Sequence, residues 1–113
     1  METYIILMSW TDLAIKNIKQ VKDRLNYGRT LADQFKVIYT GIYMIAGDAD
    51  LLAIVEAENA DAVAQFVLAL SSHGNVRTRT WRAWTELQYL DLINRIPGPD
   101  AGPSATLSGL RPA

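Results

Sequence analysis

The pattern of apolar and polar residues changes its period along the chain. Residues 4–9 form a short apolar run rich in β-forming residues, which predicts a buried strand. Thr11 and Asp12 follow as a helix N-cap and a first-turn acid. After them, apolar residues recur at steps of three and four, which predicts one long helix with a single apolar stripe. The stripe contains Ile18, Val21, Leu25, Gly28, Ala32 and Phe35.

A hairpin and a second helix follow this stripe. Residues 37–46 and 51–56 are typical of strands, and the Gly and Asp residues of 47–50 predict the tight turn of an antiparallel pair. Asn59 is a good helix N-cap, and Gly74 has the position of a C′ residue at the end of that helix.

The remaining chain predicts one more strand, one short helix and a tail. Residues 76–84 read as a half-exposed strand, and residues 85–88 have the spacing of a capping box. All four prolines and three of the seven glycines lie beyond residue 95. We therefore expect a domain over residues 1–95 and a Pro/Gly-rich C-terminal tail over residues 96–113.

The order of these elements predicts an α+β fold, a ferredoxin-like βαββαβ sandwich with a four-stranded antiparallel sheet in the order 4-1-3-2. Helices cover only one face of such a sheet, yet both central strands are apolar on both faces. Leaving the second face in water would cost about 25 cal/mol per Å² of apolar surface. An identical sheet from a second chain is the simplest cover, and this predicts a homodimeric α/β barrel.

Composition excludes several classes of function. The chain has 113 residues, a formal net charge of −1 and no cysteine. We expect no attraction to nucleic acid or an anionic membrane, no disulfide and no zinc-thiolate site. The N-terminus lacks the pattern of a signal peptide, and no apolar run reaches the ~18 residues of a membrane span. A cytoplasmic protein is the expectation.

Three stretches resemble the GYD-domain family, small proteins of the dimeric α/β-barrel type. They are TYIILMSWTDLAIKNIK, GDADLLAIVEAENADAVAQFVLAL and HGNVRTRTWRAWTE, and the resemblance covers about residues 2–90. It implies the ferredoxin-like fold and a homodimer, and it implies no particular reaction. The family's Gly, Tyr, Asp signature falls at the hairpin, where Gly47 and Asp50 match and Ala49 stands at the aromatic position.

Three groups of polar residues could carry chemistry. His73, the only histidine, could act as a base or ligate haem or another metal, but a histidine near a helix C-terminus also has a favourable structural role. Arg77 and Arg79 share a strand face with Trp81 and could hold a carboxylate or phosphate, or could protect an edge strand. Asp48 and Asp50 are typical of a turn and too few for a cation cage, so we expect no metal site. The structural interpretation is favoured for each group.

Aromatic residues cluster on or beside the predicted strands. They could line a cavity for a flat apolar or aromatic ligand, or they could form the core of a dimer interface. The sequence leaves both uses open. The predicted ligand-binding residues are Tyr4, Trp10, Tyr39, Tyr43, Arg77, Arg79 and Trp81.

The tail ends in TLSGLRPA, which resembles the short peptides by which cargo proteins dock inside encapsulin shells. Its apolar anchors would gain avidity from a dimer, whereas a disordered terminus is the commoner alternative. The docking residues would be Leu107, Gly109, Leu110 and Arg111.

Three hypotheses of function follow. The first is a homodimeric small-molecule-binding or assembly and regulatory module. The second, by likeness of fold alone, is a dimeric α/β-barrel enzyme of the cofactor-independent monooxygenase, isomerase or haem-binding kind, with His73 as base or ligand and Arg79 as anion anchor. Tyr43 or Trp81 would then form the pocket wall. The third is shell cargo docked through the tail. No cofactor is required, and haem is the alternative.

Overall fold

The structure, a computed structural model, describes residues 1–99 of the chain. Within these residues the order of elements confirms the predicted βαββαβ core with a terminal helix. No helix in this part of the chain is long and apolar enough to cross a membrane. The elements are β1 Glu2–Trp10, α1 Asp12–Lys16, a 3₁₀ turn Ile18–Gln20, α2 Val21–Gln34, β2 Ile38–Met44, β3 Leu51–Ala57, α3 Ala60–Ser71, β4 Val76–Ala83 and α4 Glu86–Asn94.

The four strands form one antiparallel sheet in the order β2-β3-β1-β4, as predicted. In the centre of β1, Ile6 pairs with Ala53 of β3 and with Thr80 of β4. The β2–β3 ladder shifts register between Tyr39 and Gly41, which marks a bulge in the edge strand.

The core lies on the face of the sheet that α2 and α3 cover, here called the helix-covered face. Side chains alternate along a strand, so Tyr4, Ile6 and Met8 all point to this face. Ile6 and Phe66 are fully buried there. Burial of each such side chain contributes about 1.5–3 kcal/mol to folding.

The predicted long first helix is wrong in one respect, because it is interrupted at Asn17. The Asn17 side chain donates to the Leu13 carbonyl at 3.1 Å, and the Arg24 guanidinium donates to the Asn17 carbonyl at 2.9 Å. An asparagine that bonds to its local backbone competes with continued helix, and Arg24 satisfies the freed carbonyl. The apolar stripe persists in α2, where its members Gly28 and Ala32 are buried.

Several helix ends follow the predicted chemistry. The Asn59 carboxamide accepts from the Ala62 amide at 3.0 Å, and Thr85 and Gln88 form the predicted capping box. Gly74 has a φ of 81° but lies two residues beyond the C-cap Ser72, one position later than expected for C′.

Residues 1–83 form one compact unit, and a second unit begins at Trp84. The described part of the second unit contains α4, whose apolar side chains are largely exposed, including Leu87 and Tyr89. The proposed docking residues lie outside the described residues, so their role stays a prediction. They are Leu107, Gly109, Leu110 and Arg111.

Candidate ligand-binding cavity

A cavity of about 220 Å³ lies between α2, the end of α3 and the helix-covered face of the sheet. Met8, Ile42 and Leu51 line it from three strands, and Leu25 and Leu70 line it from the two helices. Pockets for drug-sized molecules measure roughly 300–1,000 Å³, so the occupant of this cavity must be smaller. Its walls are apolar where the sheet and helices meet.

Gly28 keeps the cavity open. It is buried in α2, and a Cβ atom there would lie 3.5 Å from the Tyr39 hydroxyl and 3.8 Å from Leu70 Cδ1. The close approach of helix and sheet expected at Gly28 is therefore present. A long side chain at this position would occupy the cavity.

Tyr39 brings a polar group to the cavity wall. Its ring packs edge-on against Phe66, with centroids 5.9 Å apart. Burial raises the pKa of Tyr39 to about 12, against the smaller opposite effect of the Arg29 charge. The hydroxyl, which any tyrosine keeps protonated at neutral pH, is available as a donor. No group within residues 1–99 is hydrogen-bonded to it.

His73 lines the cavity together with Tyr27. The Tyr27 hydroxyl and His73 Nε2 are hydrogen-bonded at 2.6 Å, and the rings meet edge-on with centroids 4.7 Å apart. Both side chains are exposed, so this pair lies on the solvent side of the cavity.

The loop that carries His73 is fixed to the start of α1. The Thr11 hydroxyl donates to the Gly74 carbonyl at 2.5 Å, and the Thr11 amide donates to the Asn75 carbonyl at 3.1 Å. Thr11 also caps α1, since its Oγ1 accepts from the Ala14 amide at 3.3 Å. One N-cap residue thus positions both α1 and the loop after α3.

Three charged residues of α2 line the cavity, and they differ in what they bind. The Arg24 guanidinium donates to the carbonyls of Asn17 and Ala14, at 2.9 and 3.4 Å, and so satisfies backbone acceptors at the C-terminal end of α1. Arg29 and Asp23 form no ion pair with any other described residue. The positive charge of Arg29 nevertheless acts on Tyr39, since it offsets a small part of the rise in the Tyr39 pKa that burial causes.

The structure separates the predicted ligand-binding residues into three places. The cavity is lined by Trp10 and Tyr39, together with His73. The strand register places others on the opposite face of the sheet, far from the cavity. These are Tyr43, Arg77, Arg79 and Trp81.

Tyr4 is the third case, because it is a core residue outside the cavity lining. Its side chain is 5% exposed, and its hydroxyl donates to the Glu2 carboxylate. The Arg82 guanidinium lies over its ring, 5.6 Å from the centroid. Burial raises the pKa of Tyr4. These contacts anchor the start of β1.

The face of the sheet away from the helices is apolar in its centre and is uncovered by residues 1–83; we call it the open face. In its centre Ile5 pairs with Ile54, and Leu7 pairs with Leu52. Tyr43 and Trp81 flank these pairs and are 57% and 54% exposed. At the rim, Arg79 donates to the Asp48 carbonyl at 3.4 Å. The apolar residues of the open face are Ile5, Leu7, Tyr43, Leu52, Ile54 and Trp81.

The hairpin signature has a structural use in this fold. Asp50 Oδ2 accepts from the Trp10 amide at 2.9 Å, and the Asp50 amide donates to the Met8 carbonyl at 2.9 Å. Gly47 has a φ of 155°, a backbone conformation that favours glycine. Asp50 therefore ties the hairpin to the end of β1, beside the cavity residue Trp10.

Sequence reasoning missed Tyr27 and Arg29, which lie off the apolar stripe of the helix. Tyr27 and Arg29 flank Gly28 in the sequence. A glycine on the buried stripe of a helix indicates a space beside the helix, and long side chains next to that glycine can line the space. That signal could have found them.

Solved structures with similar folds are distant in sequence. A feast or famine regulatory protein from M. tuberculosis, complexed with L-methionine, matches with a TM-score of 0.57 and 16% identity over 75% of this chain. The match spans 51% of that regulator, so this chain corresponds to about half its length. A crystal structure of a Thermus thermophilus protein matches with a TM-score of 0.52 and 22% identity, over 75% of this chain and 95% of that one. These likenesses establish the ferredoxin-like fold.

Comparison with known sequences gives a more specific result than the structural matches. A Thermus thermophilus protein named glutamine synthetase and cystathionine beta-lyase binding protein is 34% identical over 100 residues, which cover 85% of this chain and 99% of that protein. The GYD domain matches residues 4–93, from β1 to the end of α4. The chain therefore belongs to the GYD domain family, as its three characteristic stretches indicated.

Proposed function

We propose that the protein is a homodimeric regulatory module that acts by binding metabolic enzymes and that takes a small molecule in its cavity. The open face is the single observation that carries this proposal. Four aliphatic residues in two cross-strand pairs, flanked by two half-exposed aromatic rings, make a surface that residues 1–83 leave uncovered.

A second copy of the chain is the partner that best fits the open face. Two identical sheets can pack face to face, with the apolar rows of one chain against those of the other. Tyr43 and Trp81 supply large contact areas, and aromatic residues are enriched in the cores of interfaces. Arg79 lies at the rim, where a charge remains hydrated.

Enzyme binding is proposed from the relative. The Thermus protein is named for binding glutamine synthetase and cystathionine beta-lyase, and it corresponds to this chain over almost its whole length. We infer that this chain binds an enzyme of the same metabolic area. The cavity is separate from the open face, so a bound small molecule could regulate enzyme binding without competing with dimerisation.

Native mass spectrometry of the full chain, alone and with the glutamine synthetase of its own organism, tests the proposal. We expect twice the 12.6 kDa chain mass alone and an added complex with the enzyme. A matched enzyme from unrelated metabolism serves as the control. A monomer that binds neither itself nor the synthetase would overturn the proposal.

Catalysis is a second candidate, favoured by the hydrogen bond between Tyr27 and His73 at the cavity. A histidine oriented by a neighbouring hydroxyl can serve as a base. A cavity of about 220 Å³ is too small to enclose a haem, so His73 would ligate a haem only on the exposed side of the cavity. Haem titration tests the haem form of this idea: a Soret band that His73→Ala abolishes would support it. A band that His73→Ala leaves unchanged, or no band at all, would remove His73 as a ligand.

A further inference from the structure

We propose that the cavity binds a small monocarboxylate with an apolar or aromatic body, the carboxylate lying between the Tyr39 hydroxyl and the Arg29 guanidinium. The inference rests on the proposed function, since it names the ligand class of the same cavity. The cavity wall has an apolar part and a polar part, and the polar part contains hydrogen-bond donors that have no partner among the described residues.

The apolar part accommodates the body of the ligand. Five aliphatic or thioether side chains from three strands and two helices face the same space, and none of them offers a strong hydrogen-bonding group. The volume of about 220 Å³ limits the body to a phenyl ring or a short alkyl chain. The side chains are Met8, Leu25, Ile42, Leu51 and Leu70.

The polar part offers two donors without partners among the described residues. The Tyr39 hydroxyl is a donor at neutral pH like any phenol, and it lies at the cavity wall, 3.5 Å from the position a Cβ at Gly28 would take. A donor at an apolar wall favours an occupant that accepts a hydrogen bond, since leaving it unpaired costs free energy. Arg29 forms no ion pair within residues 1–99, and a guanidinium matches the geometry of a carboxylate.

The distribution of charge favours an anionic head over a cationic head at the Arg29 end of the cavity. Arg24 and Arg29 outnumber the one carboxylate in the lining, Asp23. Asp23 lies six residues before Arg29, about 9 Å along the helix axis. The Cα atoms of the two residues are therefore more than one helical turn apart. A single negative head at the Arg29 end fits best.

Calorimetric titration of the full chain with three matched probes tests the head group. The probes are 3-phenylpropionate, 3-phenylpropan-1-ol and 3-phenylpropylamine, which share one body and carry an anionic, a neutral and a cationic head. We expect the acid to bind at least about tenfold more tightly than the alcohol, and the amine to bind most weakly. Equal affinity for acid and alcohol, or tightest binding of the amine, would overturn the carboxylate assignment while leaving a cavity that binds small molecules.

Variants locate the head group. Arg29→Gln and Tyr39→Phe should each weaken binding of the acid about tenfold and change that of the alcohol less than about twofold. Arg77→Gln, on the opposite face of the sheet, is the control and should change neither. Retained near-ultraviolet circular dichroism establishes that each variant is folded. If no probe binds, or if both cavity variants bind the acid like the wild type, the inference fails. Dimerisation and enzyme binding, measured separately by native mass spectrometry, then decide the proposed function.

Discussion

The two faces of the sheet are built from the same strands, and the two central strands are apolar on both faces. The two faces nevertheless differ in how much of their apolar surface is buried. Alternate residues of β1 point to opposite faces, so Ile6 is fully buried under the helices while Ile5 and Leu7 remain partly exposed. Across the open face, Tyr43 and Trp81 keep more than half of their surface in water. One face is thus covered by the helices of the chain itself, and the other is left uncovered by residues 1–83.

The positions of the polar and charged side chains also differ between the two faces of the sheet. On the helix-covered face, the Tyr39 hydroxyl and the Arg29 guanidinium, which have no partner among the described residues, lie beside Gly28, where the helix carries no side chain. On the open face, the charged residues are Glu56, at the end of β3, and Arg77 and Arg79 on the edge strand β4. The cavity and the proposed interface therefore lie on opposite sides of one sheet, so a substitution can be directed at one face at a time.

The largest effect is expected from a cavity created in the closed core. Phe66→Ala should lower the free energy of unfolding by about 3–5 kcal/mol, because Phe66 is fully buried and supports the Tyr39 ring. Leu68→Ala in the same helix is the control, since Leu68 is 70% exposed and should change stability by less than about 0.5 kcal/mol. Urea denaturation measures both. Equal losses would mean that α3 does not face the sheet as described.

A charge on the open face should act on association instead of folding. Trp81→Glu is expected to weaken the proposed dimer at least about 30-fold, because a large aromatic contact on the open face is lost and each of the two sheets gains a negative charge. Leu68→Glu, on the exposed side of α3, should leave association unchanged. Sedimentation equilibrium gives the dimer constant for each. Unaltered association of Trp81→Glu would exclude the open face as the dimer interface.

The fold could be predicted because its signals are local and periodic. The alternation in β1, the helical stripe and the capping residues Asn59 and Thr85 each specify one element, and the handedness of βαβ connections then fixes the strand order. The break at Asn17 escaped prediction, because it depends on a long side chain seven residues later in the chain, Arg24, reaching back to a carbonyl.

The cavity could be predicted only in part. Trp10, Tyr39 and His73 were candidates from the sequence, but they were grouped with residues of the opposite face. Periodicity assigns a residue to a face only when strand and register are known, and the bulge after Tyr39 shifts that register. The pairing of Tyr27 with His73 joins residues 46 positions apart, and no local pattern predicts it.

Stability at high pH should report the burial of Tyr39. The phenol ionises near 10.0 in the unfolded chain and at about 12 in the folded protein. Below pH 10 the contribution is complete, and between pH 10 and 12 the unfolded chain loses its proton first, so stability falls by up to about 2–3 kcal/mol. Burial also raises the pKa of Tyr4, so the comparison with Tyr39→Phe isolates the effect. If denaturation curves of the two proteins fall equally over this range, Tyr39 is not buried as described.

The smallest effect is expected at the glycine that opens the cavity. Gly28→Ala should raise the free energy of unfolding by about 0.5–1 kcal/mol, because alanine is the better helix former and its Cβ would make only ordinary contacts, at 3.5 Å and 3.8 Å. Thermal and urea denaturation measure the gain. Gly74→Ala is the matched control: with a φ of 81°, alanine there is strained and should cost about 1–2 kcal/mol. The two substitutions should therefore differ in sign. A loss of stability from Gly28→Ala would mean that α2 and Tyr39 lie closer together than described, and that the space on the helix-covered face is smaller than a ligand needs.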